Sequence, residues 1–132
     1  MILVDTGIFV ALYRKQDQHH SDATRAWGAL KPPFIITNHI VDEVATALGR
    51  LAGFAFAADC VANLYASQQF DILASDRDDE LEALRWMRKY ADQRVSFTDC
   101  VSFALMRRHR IRRAFTFDRH FRLAGFEVIG RR

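Results

Sequence analysis

Hydrophobic residues in this chain fall into short unbroken runs separated by longer stretches at helical spacing. Ile2-Leu3-Val4, Phe34-Ile35-Ile36, Phe70-Asp71-Ile72-Leu73, Ala114-Phe115-Thr116-Phe117 and Phe126 to Ile129 read as five strands. Runs this short, with little polar alternation, suit strands buried on both faces of a parallel sheet. A first helical stretch passes through Ile8, Phe9, Ala11 and Leu12. A second, Ser21 through Leu30, stops at Lys31-Pro32-Pro33. Thr37-Asn38 supplies an N-cap for a third, whose apolar stripe is Ile40, Val44, Ala47, Leu48 and Leu51 and whose stop is Gly53. Phe54 to Ser67 makes the other arm of a helical hairpin. Asp76 to Tyr90, Ser96 to His109 and Asp118 to Ala124 complete the series. Strands alternating with helices predict an α/β fold, an α/β/α sandwich with a mainly parallel central sheet of four to five strands.

Parallel sheets bind ligands in the crevice at the carboxyl ends of their strands. Asp5 follows the first strand and Asp118 the fourth. Glu43 lies early in the helix after strand two, and Asp99 in the first turn of the helix leading into strand four. All four are expected at one edge of the sheet. Helical phase puts Glu43 beside the buried stripe and favours it over its neighbour Asp42. Each acid alone has a structural use. Asp5 and Asp118 suit helix caps, Ser96-Phe97-Thr98-Asp99 matches a capping box, and Glu43 suits a surface at the edge of the stripe. Together, four carboxylates would repel one another, and no lysine or histidine stands at a matching position. A hard divalent cation such as Mg²⁺ or Mn²⁺, which takes oxygen ligands, is the natural counter-ion. Water retained on such an ion is a potential nucleophile. Thr6 and Thr98 are placed to orient the carboxylates through hydrogen bonds, whereas Thr116 reads as strand filler.

Composition narrows the class. Of 132 residues, 50% are hydrophobic and 27% charged, the balance of one soluble globular domain spanning 1–132. No apolar run is long enough to span a bilayer. The apolar start has no basic region before it and contains Asp5, so a cytoplasmic rather than exported protein is expected. Cys60 and Cys100 have no metal-ligand spacing, which excludes a disulfide scaffold or zinc finger. The net charge of +3 hides a division. Residues 105–132 hold 9 Arg against 2 acids, while residues 1–104 hold 10 Lys/Arg against 14 acids. A basic tail on an acidic body points to a polyanion partner such as nucleic acid, with Arg107, Arg108, Arg110, Arg112 and Arg113 as candidate contacts. His19-His20 reads as a surface loop, and Asp76 to Glu82 as a solvated helix start. The apolar hairpin face of Phe54, Phe56, Val61 and Leu64 suits core or a partner surface.

The segments Val-Asp-Thr-Gly, Val-Asp-Glu-Val-Ala-Thr, Ser-Phe-Thr-Asp-Cys-Val-Ser-Phe-Ala-Leu-Met and Thr-Phe-Asp-Arg-His-Phe resemble those of PIN-domain proteins, most closely the small VapC-type toxins. The resemblance covers nearly the whole chain. Gly7 departs from it, since many relatives carry Ser there. It implies a doubly wound α/β/α domain, Mg²⁺- or Mn²⁺-dependent ribonuclease activity and a small antitoxin partner. It also implies an acidic quartet of Asp5, Glu43, Asp99 and Asp118, with Asp118 completing the metal site or serving a second ion. On this reading the chain is a metal-dependent endoribonuclease, a homodimer in solution, cleaving a loop of transfer or ribosomal RNA. Two other classes remain: a non-catalytic RNA-binding module, and a phosphoacceptor signalling domain. The latter needs an acid after strand three and a late lysine, and this sequence has neither.

Overall fold

The computed structural model describes residues 1–130; Arg131 and Arg132 of the basic tail lie outside the described residues. The chain runs β1 (Ile2–Val4), α1 (Thr6–Tyr13), α2 (His20–Ala29), β2 (Phe34–Thr37), α3 (Asn38–Ala52), α4 (Phe54–Ala66), β3 (Phe70–Leu73), α5 (Arg77–Lys89), α6 (Phe97–His109), β4 (Arg113–Phe115), α7 (His120–Leu123) and β5 (Glu127–Ile129). The strands form one parallel sheet in the order β3-β2-β1-β4-β5. The chain winds outward from β1 to β3, then returns to the far side of β1 for β4. Right-handed crossovers put α1–α4 on one face and α5–α7 on the other, and the helix contacts follow that division. β1 is buried along its whole length, as expected of a central strand covered on both faces.

The predicted elements are all present, with small shifts. The fourth strand ends at Phe115 rather than Phe117, and the last short helix begins at His120 rather than Asp118. Thr37 rather than Asn38 caps α3, its hydroxyl accepting from the Ile40 N–H at 3.0 Å. Gly53, at φ 100°, ends α3 and starts α4, a turn that a side chain would strain. The hairpin face divides: Leu64 is core, but Phe54 is 66% exposed and Phe56 41%. β3 lies at the sheet edge, two strands from β1, so the residues after it are far from the acids. This is the wrong place for a phosphoacceptor.

The switch of winding direction falls between β1 and β4. Register pairs Val4 with Phe115, so the residues just beyond them, Asp5 and Thr116, emerge side by side. A parallel sheet opens its ligand crevice at such a point.

Candidate active site

Asp5 leaves β1 with its backbone N–H bonded to the Phe115 carbonyl (3.0 Å). Its Oδ1 accepts from the Thr6 N–H (2.8 Å), and its Oδ2 accepts from the Thr116 hydroxyl (2.7 Å). Asp5 therefore caps α1 and still turns a carboxylate into the cleft. Thr116 is fully buried, and its oxygen also accepts from the Asp118 N–H at 2.9 Å. One hydroxyl thus fixes two of the acids. Thr6 donates to Glu43 Oε1 at 2.9 Å. Asp99 is held differently. Ser96 caps α6 by accepting from the Asp99 N–H (3.1 Å), but no reciprocal bond from the Asp99 carboxylate is present. Half of the expected capping box is missing, and its acid faces the cleft instead.

Asp5, Glu43, Asp99 and Asp118 line one open cleft of about 430 Å³, together with Thr6, Arg94, Ser96, Phe117 and His120. Several expectations change here. Glu43 is exposed rather than bordering the buried stripe, and it reaches the cleft through its bond to Thr6. Among the described residues Thr98 makes no side-chain hydrogen bond to the acids, and it does not line the cleft. The orienting hydroxyls are those of Thr6 and Thr116, and Thr116 is not strand filler.

A histidine does stand among the acids. His120 Nδ1 lies 3.0 Å from Asp118 Oδ1 and 3.9 Å from Asp99 Oδ2, while its backbone N–H donates to Asp118 Oδ1 at 2.8 Å. The Asp-x-His spacing of this turn was the available signal. Arg94 also lines the cleft. It holds a left-handed backbone (φ 57°) that non-glycine residues seldom adopt, and no ion pair engages it among the described residues.

The five candidate arginines of the tail are not brought to the acids. Asp99 and Arg110 are separated by eleven residues of α6 and its cap, roughly 16 Å along the helix axis. β4 begins at Arg113 and ends toward the cleft. Arg108 pairs with the buried Asp79 (2.8 Å), Arg113 lies 3.7 Å from Glu127, and Arg107 donates to the Ala124 carbonyl while stacking over Phe126. Arg110 and Arg112 line a separate cleft with Phe126 and Glu127.

Crowding shows in the acidities. Burial pushes Asp5 up to about 6; the bonds from Thr116 and Thr6 lower it, and the charges of Asp118 and Glu43 raise it. Burial first, then the charges of Asp5 and Asp118, push Asp99 up to about 9. Carboxylates so reluctant to ionise together fit a divalent cation, whose charge would remove the repulsion. Asp99, Asp118 and His120 each offer a ligand atom within 4.8 Å of the others.

Thr116→Val tests the positioning of Asp5. It keeps the side-chain shape but removes a donor from Asp5 and takes the acceptor from the part-buried Asp118 N–H. Denaturant unfolding is expected to show a loss of about 1–3 kcal/mol, and Thr116→Ser should recover most of it.

Carboxylates gathered at the switch point of a parallel α/β/α sheet define an α/β protein with an oxygen-rich candidate cation centre. The chain belongs to the PIN domain family, whose model matches residues 2–127. It is similar to the 23S rRNA-specific endonuclease VapC20 of Mycobacterium tuberculosis, 38% identical over 130 residues that cover 98% of each chain. It is 29% identical over 140 residues to a VapC ribonuclease of Archaeoglobus fulgidus, covering 98% of this chain and 82% of that protein. The crystal structure of Mycobacterium tuberculosis VapC20, described as a sarcin-ricin loop cleaving toxin, matches with a TM-score of 0.89 at 32% identity over 96% of each chain. A toxin–antitoxin complex from Klebsiella pneumoniae shares the fold, with a TM-score of 0.71 at 17% identity, covering 98% of this chain and 96% of that one.

Proposed function

We propose that this chain is the toxin of a toxin–antitoxin pair, a single PIN-type domain acting as a Mg²⁺- or Mn²⁺-dependent endoribonuclease. The observation that carries the reading is the meeting of Asp5, Glu43, Asp99 and Asp118, drawn from four separate elements, in one cleft at the switch point. The similarity to VapC20 favours a loop of ribosomal RNA over transfer RNA as substrate.

Asp5, Asp99 and Asp118 would hold the cation, with Glu43 at the rim. Such a cation supplies Lewis-acid polarisation of a phosphate and acidifies bound water. The protein's own groups set the stage. Thr116 and Thr6 lock the Asp5 carboxylate in one orientation, and Thr6 draws Glu43 inward. His120 Nδ1 lies 3.0 Å from Asp118 Oδ1 outside hydrogen-bond geometry, a buried ring nitrogen turned toward the acids. Arg94 offers a planar guanidinium to an RNA phosphate beside the acids. Arg110 and Arg112 contact the RNA farther from the cut. The exposed Leu51, Phe54, Phe56 and Tyr65 of the α3–α4 hairpin are the surface for the antitoxin and a homodimer. Both cysteines are free, in keeping with a cytoplasmic setting.

Sequencing of RNA ends after expression of the wild type and of Asp99→Asn tests the activity. New 5′ ends confined to the wild type support it, and identical profiles refute it. Arg94→Gly tests the phosphate contact. Glycine accepts the left-handed backbone, so stability should change by no more than about 1 kcal/mol. RNA affinity should fall severalfold, with a shallower salt dependence. Unchanged affinity and salt slope would remove Arg94 from the mechanism.

A further inference from the structure

Phe117 stands between two residues committed to the acid centre. Thr116 is fully buried and bonded to Asp5, and its N–H donates to the Ile129 carbonyl at 3.1 Å. Asp118 is tied back to the Thr116 hydroxyl through its N–H. The backbone is therefore fixed on both sides of Phe117, and the ring is left half-buried as part of the cleft wall. His19 stacks on it, with ring centroids 4.5 Å apart and planes 27° from parallel. His19 is itself anchored, since its N–H donates to Asp17 Oδ1 at 2.8 Å and the neighbouring His20 ring bonds to the Ala11 carbonyl at 2.7 Å. The cleft thus joins two unlike surfaces: a carboxylate floor with the Arg94 guanidinium beside it, and an aromatic ring one residue from Asp118.

A nucleotide has the matching halves, a phosphate that needs cations and a flat base that stacks. Bases of single-stranded loops are recognised by stacking on aromatic side chains, and every base has a face to offer. A ring serving only the core would be covered by apolar neighbours; Phe117 packs against the core on one side, yet it also borders the cleft lined by the four acids and is stacked on an imidazole. We propose that Phe117, braced by His19, is a nucleobase platform on which the base beside the scissile phosphate stacks. The inference rests on the nuclease reading and adds to it the substrate class: an unpaired nucleotide, extruded from its loop or already single-stranded, rather than a paired one.

The test measures binding rather than cleavage. Asp99→Asn protein in Mn²⁺ buffer is titrated against a fluorescein-labelled RNA hairpin, and against a series in which each loop nucleotide in turn is abasic. Loss of one stacked base is expected to weaken binding about tenfold at a single loop position. In Asp99→Asn/Phe117→Ala, the intact hairpin should bind about tenfold more weakly, and that abasic position should cost nothing further. Phe117→Trp in the same background should restore the affinity. Phe117→Leu, which keeps the volume but cannot stack, should not. Full affinity in the Ala or Leu variant, or the same abasic penalties with and without Phe117, overturns the platform and leaves the nuclease reading standing. Failure of the Asp99→Asn protein to bind any of the hairpins, when wild type also cuts none, overturns the nuclease reading and the platform with it.

Discussion

Asp99→Asn is expected to abolish RNA cleavage and to raise the melting temperature of the metal-free protein. Two consequences of one carboxylate point in opposite directions. On the proposed function the acid is an oxygen ligand of the cation, so its loss should reduce cleavage to below about one per cent of wild type. Its carboxyl is also pushed up to about 9 by burial and by facing Asp5 and Asp118, so the folded chain must hold a proton there that the unfolded chain does not. Asparagine removes that cost. The helix start is spared, because Ser96 caps α6 with its own hydroxyl and the Asp99 side chain takes no part. A rise of a few degrees in EDTA at about pH 8 is therefore expected, together with a smaller upward shift on adding Mn²⁺. Asp42→Asn, at an exposed position of α3, should melt and cleave as wild type does. Had Asp99 been a structural cap, its loss would cost about 0.5–2 kcal/mol. An Asp99→Asn protein that melts lower in EDTA yet still cuts RNA would defeat the assignment.

Metal-free stability is expected to fall as the pH rises, and Mn²⁺ to reverse the trend. The side chains of Asp5 and Asp99 hold protons more tightly in the native state than in an unfolded chain, where aspartate titrates near 3.9. The native state is thus richer in protons up to about 6 for Asp5 and up to about 9 for Asp99. Their stabilising contribution is present in acid and is lost across that window. A divalent ion competes with those protons, so the stabilisation it brings should grow with pH. Urea unfolding at about pH 5.5 and about pH 8.5, in EDTA and in Mn²⁺, gives the four values needed. In Asp99→Asn the slope between the two metal-free values should flatten. A metal-free wild type more stable at the higher pH would show that the acids are not crowded as described.

The residues differ in how plainly the sequence announced them. Asp5, Asp99 and Asp118 were legible because strand ends and helix starts are local signals, written in apolar runs and caps. Helical phase in α3 singled out Glu43 over Asp42 as the fourth, and the PIN domain match bears out the family. Thr116 was not legible. Its role depends on the register of β1 against β4, which sets residue 116 beside residue 5, and pairing between strands so distant in sequence leaves no local mark. Thr98, adjacent to Asp99 in sequence, is not among the residues that line the cleft, since successive helix positions point about 100° apart. The tail arginines stand apart from the acids for a related reason. Charge counted along a chain ignores the length of α6, which carries Arg107 to Arg110 to the far edge of the sheet. Arg94 was overlooked because its left-handed backbone is invisible in composition.

The hydrogen bond between Thr116 and Asp5 spans 111 positions of sequence. Its length governs when the cleft can exist during synthesis. A ribosome that has released β1, α3 and even α6 has delivered Asp5, Glu43 and Asp99, yet nothing aligns them until β4 inserts beside β1. Pairings over such separations form late, after the entropy of closing the intervening chain has been met. A chain interrupted before residue 116 therefore carries three of the four acids and no working arrangement of them. On the proposed function, completion of the cleft is a last event of folding, and a cell making this protein has until then to supply whatever restrains it.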